Sequence, residues 1–329
     1  MRVYSKSMDE IPLINWDCYS GTAVQKNPPV AYLMRGCPYS CTYCFNEGMR
    51  NLCKGLGDNI RFFTVDRALL EIKQALGFFE PNPLVFTSDT FGINLEWMDE
   101  LFARYSKITD QPFVLYLRPE LVKPKVIEIL KKYGCYAVAM GVESGSERIR
   151  KEVLNRNYSN ALLLSIAEQL HGAGIKFRTL NIIGLPTESE DELWETVDLN
   201  IKMKTDFPRA AIFTPYPGTK IVDYAKKYGF IDDDFSYNSI PDTILSHSIL
   251  KNIDHNRIKN CLFFFQTAVI FPRLRNILQR LSHYRSNILY RLWFSMIYLY
   301  VLRKCENKKV IPFIRFLISY VHNEIVAKL

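Results

Sequence analysis

Arg35-Gly36-Cys37-Pro38-Tyr39-Ser40-Cys41-Thr42-Tyr43-Cys44-Phe45-Asn46 sets three cysteines in a C-x3-C-x2-C pattern, directly after an apolar run over residues 30–34 that reads as a strand. Three thiolates this close make a soft, electron-rich site. Iron–sulfur clusters are held by cysteine thiolates, ordinarily four of them. Only three are local here, so a cubane at this loop keeps one iron without a protein ligand. An open position lets a cluster act on a bound small molecule and not only carry electrons. A closed zinc site wants four ligands, and the next cysteine, Cys53, stands nine residues on with no histidine nearby. An odd local trio does not form a disulfide framework.

Outward from the loop, strand-like and helix-like runs alternate as far as residue 230. Expected strands are 30–34, 84–87, 113–117, 136–142, 176–184 and 210–214. Expected helices are 65–79, 95–106, 121–133, 159–173, 190–204 and 218–228. Such alternation indicates βαβ units and a parallel sheet. Six units predict an α/β fold, a partial (β/α)6 TIM-like barrel, with its functional groups at the C-terminal ends of the strands. Ser189 before Glu190-Asp191-Glu192 reads as a helix cap followed by acids suited to the positive helix end. Gly134, Gly174 and Gly229 stand where a left-handed C-cap favours glycine. The expected divisions are a linker-like segment 1–29, broken by Pro12, Pro28 and Pro29, the barrel 30–230, and a basic helical extension 231–329.

The loop spacing, its place after a first strand, and Gly141-Val142-Glu143-Ser144-Gly145 at the end of the fourth strand resemble the radical S-adenosylmethionine (SAM) enzymes. The resemblance implies a [4Fe-4S] cluster on Cys37, Cys41 and Cys44 and SAM chelated to the open iron. It implies reductive cleavage of SAM to a 5′-deoxyadenosyl radical, which abstracts hydrogen from an unidentified substrate. It further implies Tyr43 near the adenine and Glu143 accepting hydrogen bonds from the ribose or amino end of SAM. Residues 183–188 would then form an apolar platform, with Gly184 allowing close approach, and Arg178 would pair with the SAM carboxylate. A plain structural role stands beside two of these: Glu143 as a helix cap and Arg178 as a surface ion pair.

After the second strand, Ser88-Asp89-Thr90-Phe91 replaces the Gly-Gly-Glu type of motif that many members carry. The cobalamin-binding branch often shows Asp-Thr-Phe there, so Asp89 is a candidate contact and equally a turn and cap residue. Residues 8–17 resemble the linker that precedes the core in that branch, where a cobalamin domain lies upstream. This chain begins at the linker, so methyl transfer is expected to need a cobalamin protein in trans. Residues 169–174, around His171, lack the aspartate of a cobalamin-binding histidine loop and read as a helix C-cap. Thr214-Pro215-Tyr216-Pro217-Gly218-Thr219 also recurs in the branch; its prolines fix a rigid turn at the substrate end. Cys18, Cys53, Cys135, Cys261 and Cys305 stand alone, so one cluster is expected, reduced by a flavodoxin or ferredoxin.

The chain has 329 residues, 48% of them apolar, which excludes global disorder. Its eight cysteines are too few for a disulfide scaffold, and the first ten residues show no secretory signal. A reducing cytoplasm is expected. Net charge is +8, but from Arg257 onward 13 Lys/Arg face 2 acidic residues, so this part carries +11 and the rest −3. Asn276, Arg280, His283, Asn287 and Arg291 form a polar stripe opposite Leu274, Leu278, Leu281, Ile288 and Leu292. That pattern predicts one amphipathic helix with Pro272 near its start. The apolar run 292–302 is shorter than the ~20 residues that span a bilayer. The extension is expected to cap the barrel or to make peripheral contact with an anionic membrane; no nucleic-acid module is recognisable. The rival reading is a non-catalytic iron–sulfur or zinc protein that binds a membrane or nucleic acid through this tail.

Overall fold

The computed structural model describes residues 7–240 and 248–305. The start of the linker-like segment (1–6), part of the loop after residue 231 (241–247) and the end of the basic extension (306–329) lie outside the described residues.

Six strands form one parallel sheet: β1 (Val30–Ala31), β4 (Leu84–Phe86), β5 (Phe113–Leu117), β6 (Cys135–Glu143), β7 (Lys176–Ile183) and β8 (Phe207–Ile212), adjacent in that order. Helices α2 (Val65–Phe78), α3 (Leu95–Tyr105), α4 (Pro124–Lys132), α5 (Asn160–Gly172) and α6 (Glu190–Lys202) fall between consecutive strands, and α7 (Lys220–Lys227) follows the last. Consecutive strand order with right-handed crossovers puts these helices on one face. This is the expected partial barrel. Strand periodicity divides the side chains. Phe113, Leu115, Leu117, Val138, Met140 and Val142 join the main core with the helices. The alternate positions of β6, Ala137, Ala139 and Gly141, are small and line the inner face.

The first expected strand is split. β1 ends at Ala31, and β2 (Met34–Arg35) turns off to pair antiparallel with β3 (Arg61–Phe62). Helix α1 (Phe45–Leu52), directly after the cysteines, was not expected from periodicity. The sixth strand starts three residues before the expected Ala210 and includes Pro208. A strand tolerates proline at a sheet edge, and β8 is one of the two edge strands. The Ser189 cap is a full capping box with Glu192. Gly134, Gly174 and Gly229 have φ of 78°, 75° and 72°.

The first long helix of the extension is α8 (His255–Ile270), which covers β8 and α6 through Ile258, Phe264, Phe265 and Val269. The single helix expected next is two, α9 (Arg275–Ser282) and α10 (Ile288–Cys305). Side chains of α8 impose the break. Asn260 donates to the carbonyls of Ser282 and Tyr284, and Asn256 donates to Tyr284 and accepts from Ser286 N–H. The break resets the helical phase, so Ile288 and Leu292, expected to face inward, are exposed. The end of α10 seats Val301 and Cys305 against Val114, Ala137 and Phe207, near the N-terminal ends of β5, β6 and β8.

Candidate active site

The cysteine loop is held from four directions. Gly36 has φ 92°, and a Cβ there would lie 1.9 Å from Asn59 O, so only glycine lets the chain pass. Its N–H donates to Asp89 Oδ2 at 2.7 Å, from the loop after β4. Arg50 of α1 donates to the carbonyls of Cys37 (2.7 Å) and Tyr39 (3.1 Å) and to Ser40 Oγ (2.7 Å). From the far side of the rim, Leu154 O accepts from Thr42 N–H, and Asn155 donates to Ser40 O. Thr42 O accepts from Ile221 N–H of α7. Cys37 and Cys41 are buried, and Cys44 is half-buried at the N-cap of α1.

Arg118, at the end of β5, donates from Nη1 to Cys41 Sγ at 2.9 Å and from Nη2 to Glu120 at 2.6 Å. Its guanidinium lies 3.6 Å from the centre of the Tyr39 ring.

Glu143 ends β6 after a register shift and has φ 67°, a conformation rare outside glycine. Such strain gathers at functional sites. The kink folds the carboxylate back over Gly141, where a Cβ would meet Glu143 Oε1 at 2.1 Å and Arg156 Nη1 at 2.9 Å. Oε1 accepts from Arg156 Nη1 at 2.6 Å and from Tyr43 O–H at 2.8 Å. Arg156 also donates to the Tyr43 oxygen at 2.8 Å. Glu143 Oε2 has no hydrogen-bond partner among the described residues and is not sealed off, whereas Arg156 Nε and Nη2 are buried without acceptors. Burial and then the Glu143 charge push the Tyr43 phenol well above its ordinary range. Burial works against the charge on Arg156, yet Tyr43, Tyr158 and Glu143 hold it firmly protonated.

Arg156 reaches this point because the chain leaves β6 through a π-helical turn, Ile149–Val153. Buried Arg150 braces that turn by donating to Ser144 O, Tyr158 O and Asn160 Oδ1. Tyr158 in turn donates to the carbonyls of Gly141 and Val142.

The structure therefore brings Cys37, Cys41, Cys44, Tyr43, Asp89 and Glu143 to one rim. Both oxygens of Asp89 face the loop itself, Oδ2 on Gly36 N–H and Oδ1 accepting from Asn46 at 3.4 Å. Arg178 is not there. It is the third residue of β7, five positions before Ile183, roughly 16 Å below the rim at about 3.3 Å per residue. Its Nη2 donates to Cys305 Sγ of α10. Gly184 is also not open: Ile258 of α8 lies 3.0 Å from where its Cβ would be, and its N–H donates to Glu188 Oε2 at 2.7 Å. Gly184, Glu188, Arg257 and Ile258 line a cavity of about 290 Å³. His171 lies in the last turn of α5 beside Asp206, and Ala173 is the C-cap, so residues 169–174 form a helix end.

Residues 32–199 match the radical SAM superfamily, just over half of the chain. The chain belongs to this superfamily. Its members are enzymes that use a [4Fe-4S] cluster and SAM. Relatives include an uncharacterized methyltransferase of Pyrococcus horikoshii, 26% identical over 226 residues, covering 67% of this chain and 47% of that one. Another is the bacteriochlorophyllide d C-12(1)-methyltransferase of Chlorobaculum tepidum, 25% identical over 202 residues, covering 58% and 41%. The chain spans about half the length of the curated relatives it matches. The fold resembles that of the radical SAM methyltransferase TsrM of Kitasatospora setae, solved with cobalamin and a [4Fe-4S] cluster bound (TM-score 0.51, 14% identity, 63% of this chain and 38% of that one). It also resembles the cobalamin-dependent radical SAM enzyme OxsB (TM-score 0.50, 14% identity, 89% and 49%).

The residues of this radical SAM chain suit the family's cofactors. Among the described residues no three His, Cys, Asp or Glu side chains converge as around one metal ion; a cubane instead takes its thiolates on three separate irons. A carboxylate with one oxygen fixed and the other unpartnered, set over a glycine on the rim that carries the three cysteines, is a receptor for an N–H or O–H donor.

Proposed function

We propose that this chain forms the radical-generating part of a radical SAM enzyme. Cys37, Cys41 and Cys44 hold the [4Fe-4S] cluster, and Glu143 receives the amino or ribose end of SAM through Oε2. When bound, the cluster and SAM would supply reductive carbon–sulfur cleavage of SAM and, following from it, hydrogen abstraction from a substrate at the rim. Arg156 and Tyr43 hold the carboxylate aimed through Oε1, Asp89 and Arg50 fix the loop, and Arg118 donates to the Cys41 sulfur. The observation that carries the reading is the posture of Glu143: a strained residue pinned at one oxygen. Arg178 and Gly184 are left out, because α10 and α8 occupy their surroundings.

The reading calls for a reductant such as flavodoxin or ferredoxin and for a reducing compartment, which suits eight unbridged cysteines. Methyl transfer is the outcome supported by relatives named as methyltransferases. Cobalamin, bound in TsrM and OxsB, would come from a partner protein or domain. Anaerobic reconstitution followed by reduction in the presence of SAM tests the proposal. Iron and sulfide near four each per chain, with 5′-deoxyadenosine formed, are expected. Stoichiometric zinc with SAM left intact would refute it. Adding cobalamin and SAM labelled at its methyl group, and following the label, tests the methyl-transfer branch.

A further inference from the structure

Helix α10 is apolar on two opposite sides. Its inner side, with Tyr290 and Phe294, packs on Phe264 and Phe263 of α8. Its outer side carries Ile288, Leu292 and Met296 at four-residue steps, and these are 63%, 54% and 58% exposed. Leu289 beside them is 68% exposed. A helix that is apolar all round is one that is covered all round, and a stripe of this kind is unusual on a free surface. Helix α9 also packs on α8 and leaves Ile277 and Arg280 exposed.

Charge identifies the cover. Between His255 and Cys305 there is no Asp or Glu, against nine Lys and Arg. Arg257 and Arg275 are engaged with Glu190 and Asp198 of the barrel. Arg280, Arg285 and Arg291 are exposed and have no carboxylate partner among the described residues. Exposed apolar residues interleaved with unneutralised arginines match an anionic lipid interface. A second copy would oppose like charges, and residues 306–329 add four Lys/Arg to two Glu, so neither supplies the missing negative charge. No helix among the described residues is long and apolar enough to cross a membrane.

We propose that the outer face of α9 and α10 docks on an anionic lipid surface and lies in the interface. This stands apart from the cluster chemistry and does not depend on it. The test is co-sedimentation of the full chain with vesicles of phosphatidylcholine containing about 30% phosphatidylglycerol, against phosphatidylcholine alone, at low and high salt. Binding to the anionic vesicles that weakens with salt is expected. The triple variant Arg280→Gln/Arg285→Gln/Arg291→Gln should lower the partition coefficient roughly a hundredfold, at about 1 kcal/mol per basic residue near the surface. Leu289→Ser/Leu292→Ser/Met296→Ser should lower it as well, and both variants should keep the parent's iron content and circular dichroism. Failure to bind either vesicle overturns the proposal, as does equal binding by parent and variants. A serine variant that changes the oligomeric state of a protein that ignores vesicles would assign the face to another protein surface instead.

Discussion

Replacing Arg156 by methionine removes the partner of Glu143 with little change in volume. The pair is 2.6 Å apart, with side chains 4% and 10% exposed. Breaking a buried pair by removing one member costs about 3–5 kcal/mol, because the other charge stays dehydrated. Here Tyr43 still donates to the carboxylate at 2.8 Å, and a hydrogen bond to a charged group is worth about 1.5–3 kcal/mol. The net loss should therefore be about 3 kcal/mol in unfolding free energy, measured by urea denaturation of the metal-free protein. Glu143→Gln/Arg156→Met should recover at least ~1 kcal/mol of the summed single losses, since residues in contact couple by about 0.5–3 kcal/mol. SAM affinity of the reconstituted Arg156→Met protein should fall by about tenfold or more, equivalent to ~1.4 kcal/mol, as the carboxylate loses its fixed orientation. A single-mutant loss below ~1 kcal/mol with strict additivity would refute the buried pair. Unchanged SAM affinity would refute its role in positioning.

Gly36→Ala should prevent the cysteine loop from closing, given φ 92° and a Cβ position 1.9 Å from Asn59 O. Iron bound after reconstitution should drop while helix content by circular dichroism holds; full iron loading would contradict this. Arg118→Gln removes a positive N–H donor from Cys41 Sγ, so the cluster's reduction potential should move to more negative values in a spectroelectrochemical titration. No movement would mean that Arg118 does not touch the bound thiolate. The Glu188 carboxyl is pushed up to about 8, by burial that outweighs hydrogen bonds from Gly184 and Leu185 N–H. An unfolded carboxyl titrates near ~4.3. The folded chain thus holds a proton that the unfolded chain releases. This contribution to stability is full below about pH 4 and is lost as pH rises through about 8. Glu188→Gln keeps an acceptor for both N–H groups and removes the titration. Stability should then fall less steeply over that range; an identical slope would count against the enclosed carboxyl.

The six-stranded sheet was legible because each strand is a short apolar run between helical periods, and the cysteine loop because its spacing is specific. Other features depend on distant contacts. Arg178 stands third in a strand whose bounds were legible, so its depth below the rim followed from the sequence; its contact with Cys305 did not, because that depends on what α10 places beneath it. Arg156 lies 13 residues after Glu143 in sequence and returns only through the π-helical turn, whose irregular period gives no sequence pattern. Nothing in His283-Tyr284-Arg285-Ser286-Asn287 contains the proline or glycine that usually marks a helix break; the stop comes from Asn256 and Asn260 on another helix. The early start of β8 was hidden by Pro208, a strand breaker everywhere except at an edge.

The central claim is that a three-cysteine loop leaves one iron open and that Glu143 helps hold the molecule that fills it. Electron paramagnetic resonance of the reduced, reconstituted cluster, recorded before and after adding SAM, tests this directly. SAM should change the g values in the parent, and the concentration required should rise sharply in Glu143→Ala. A spectrum indifferent to SAM, or one that responds equally in parent and variant, would contradict the account.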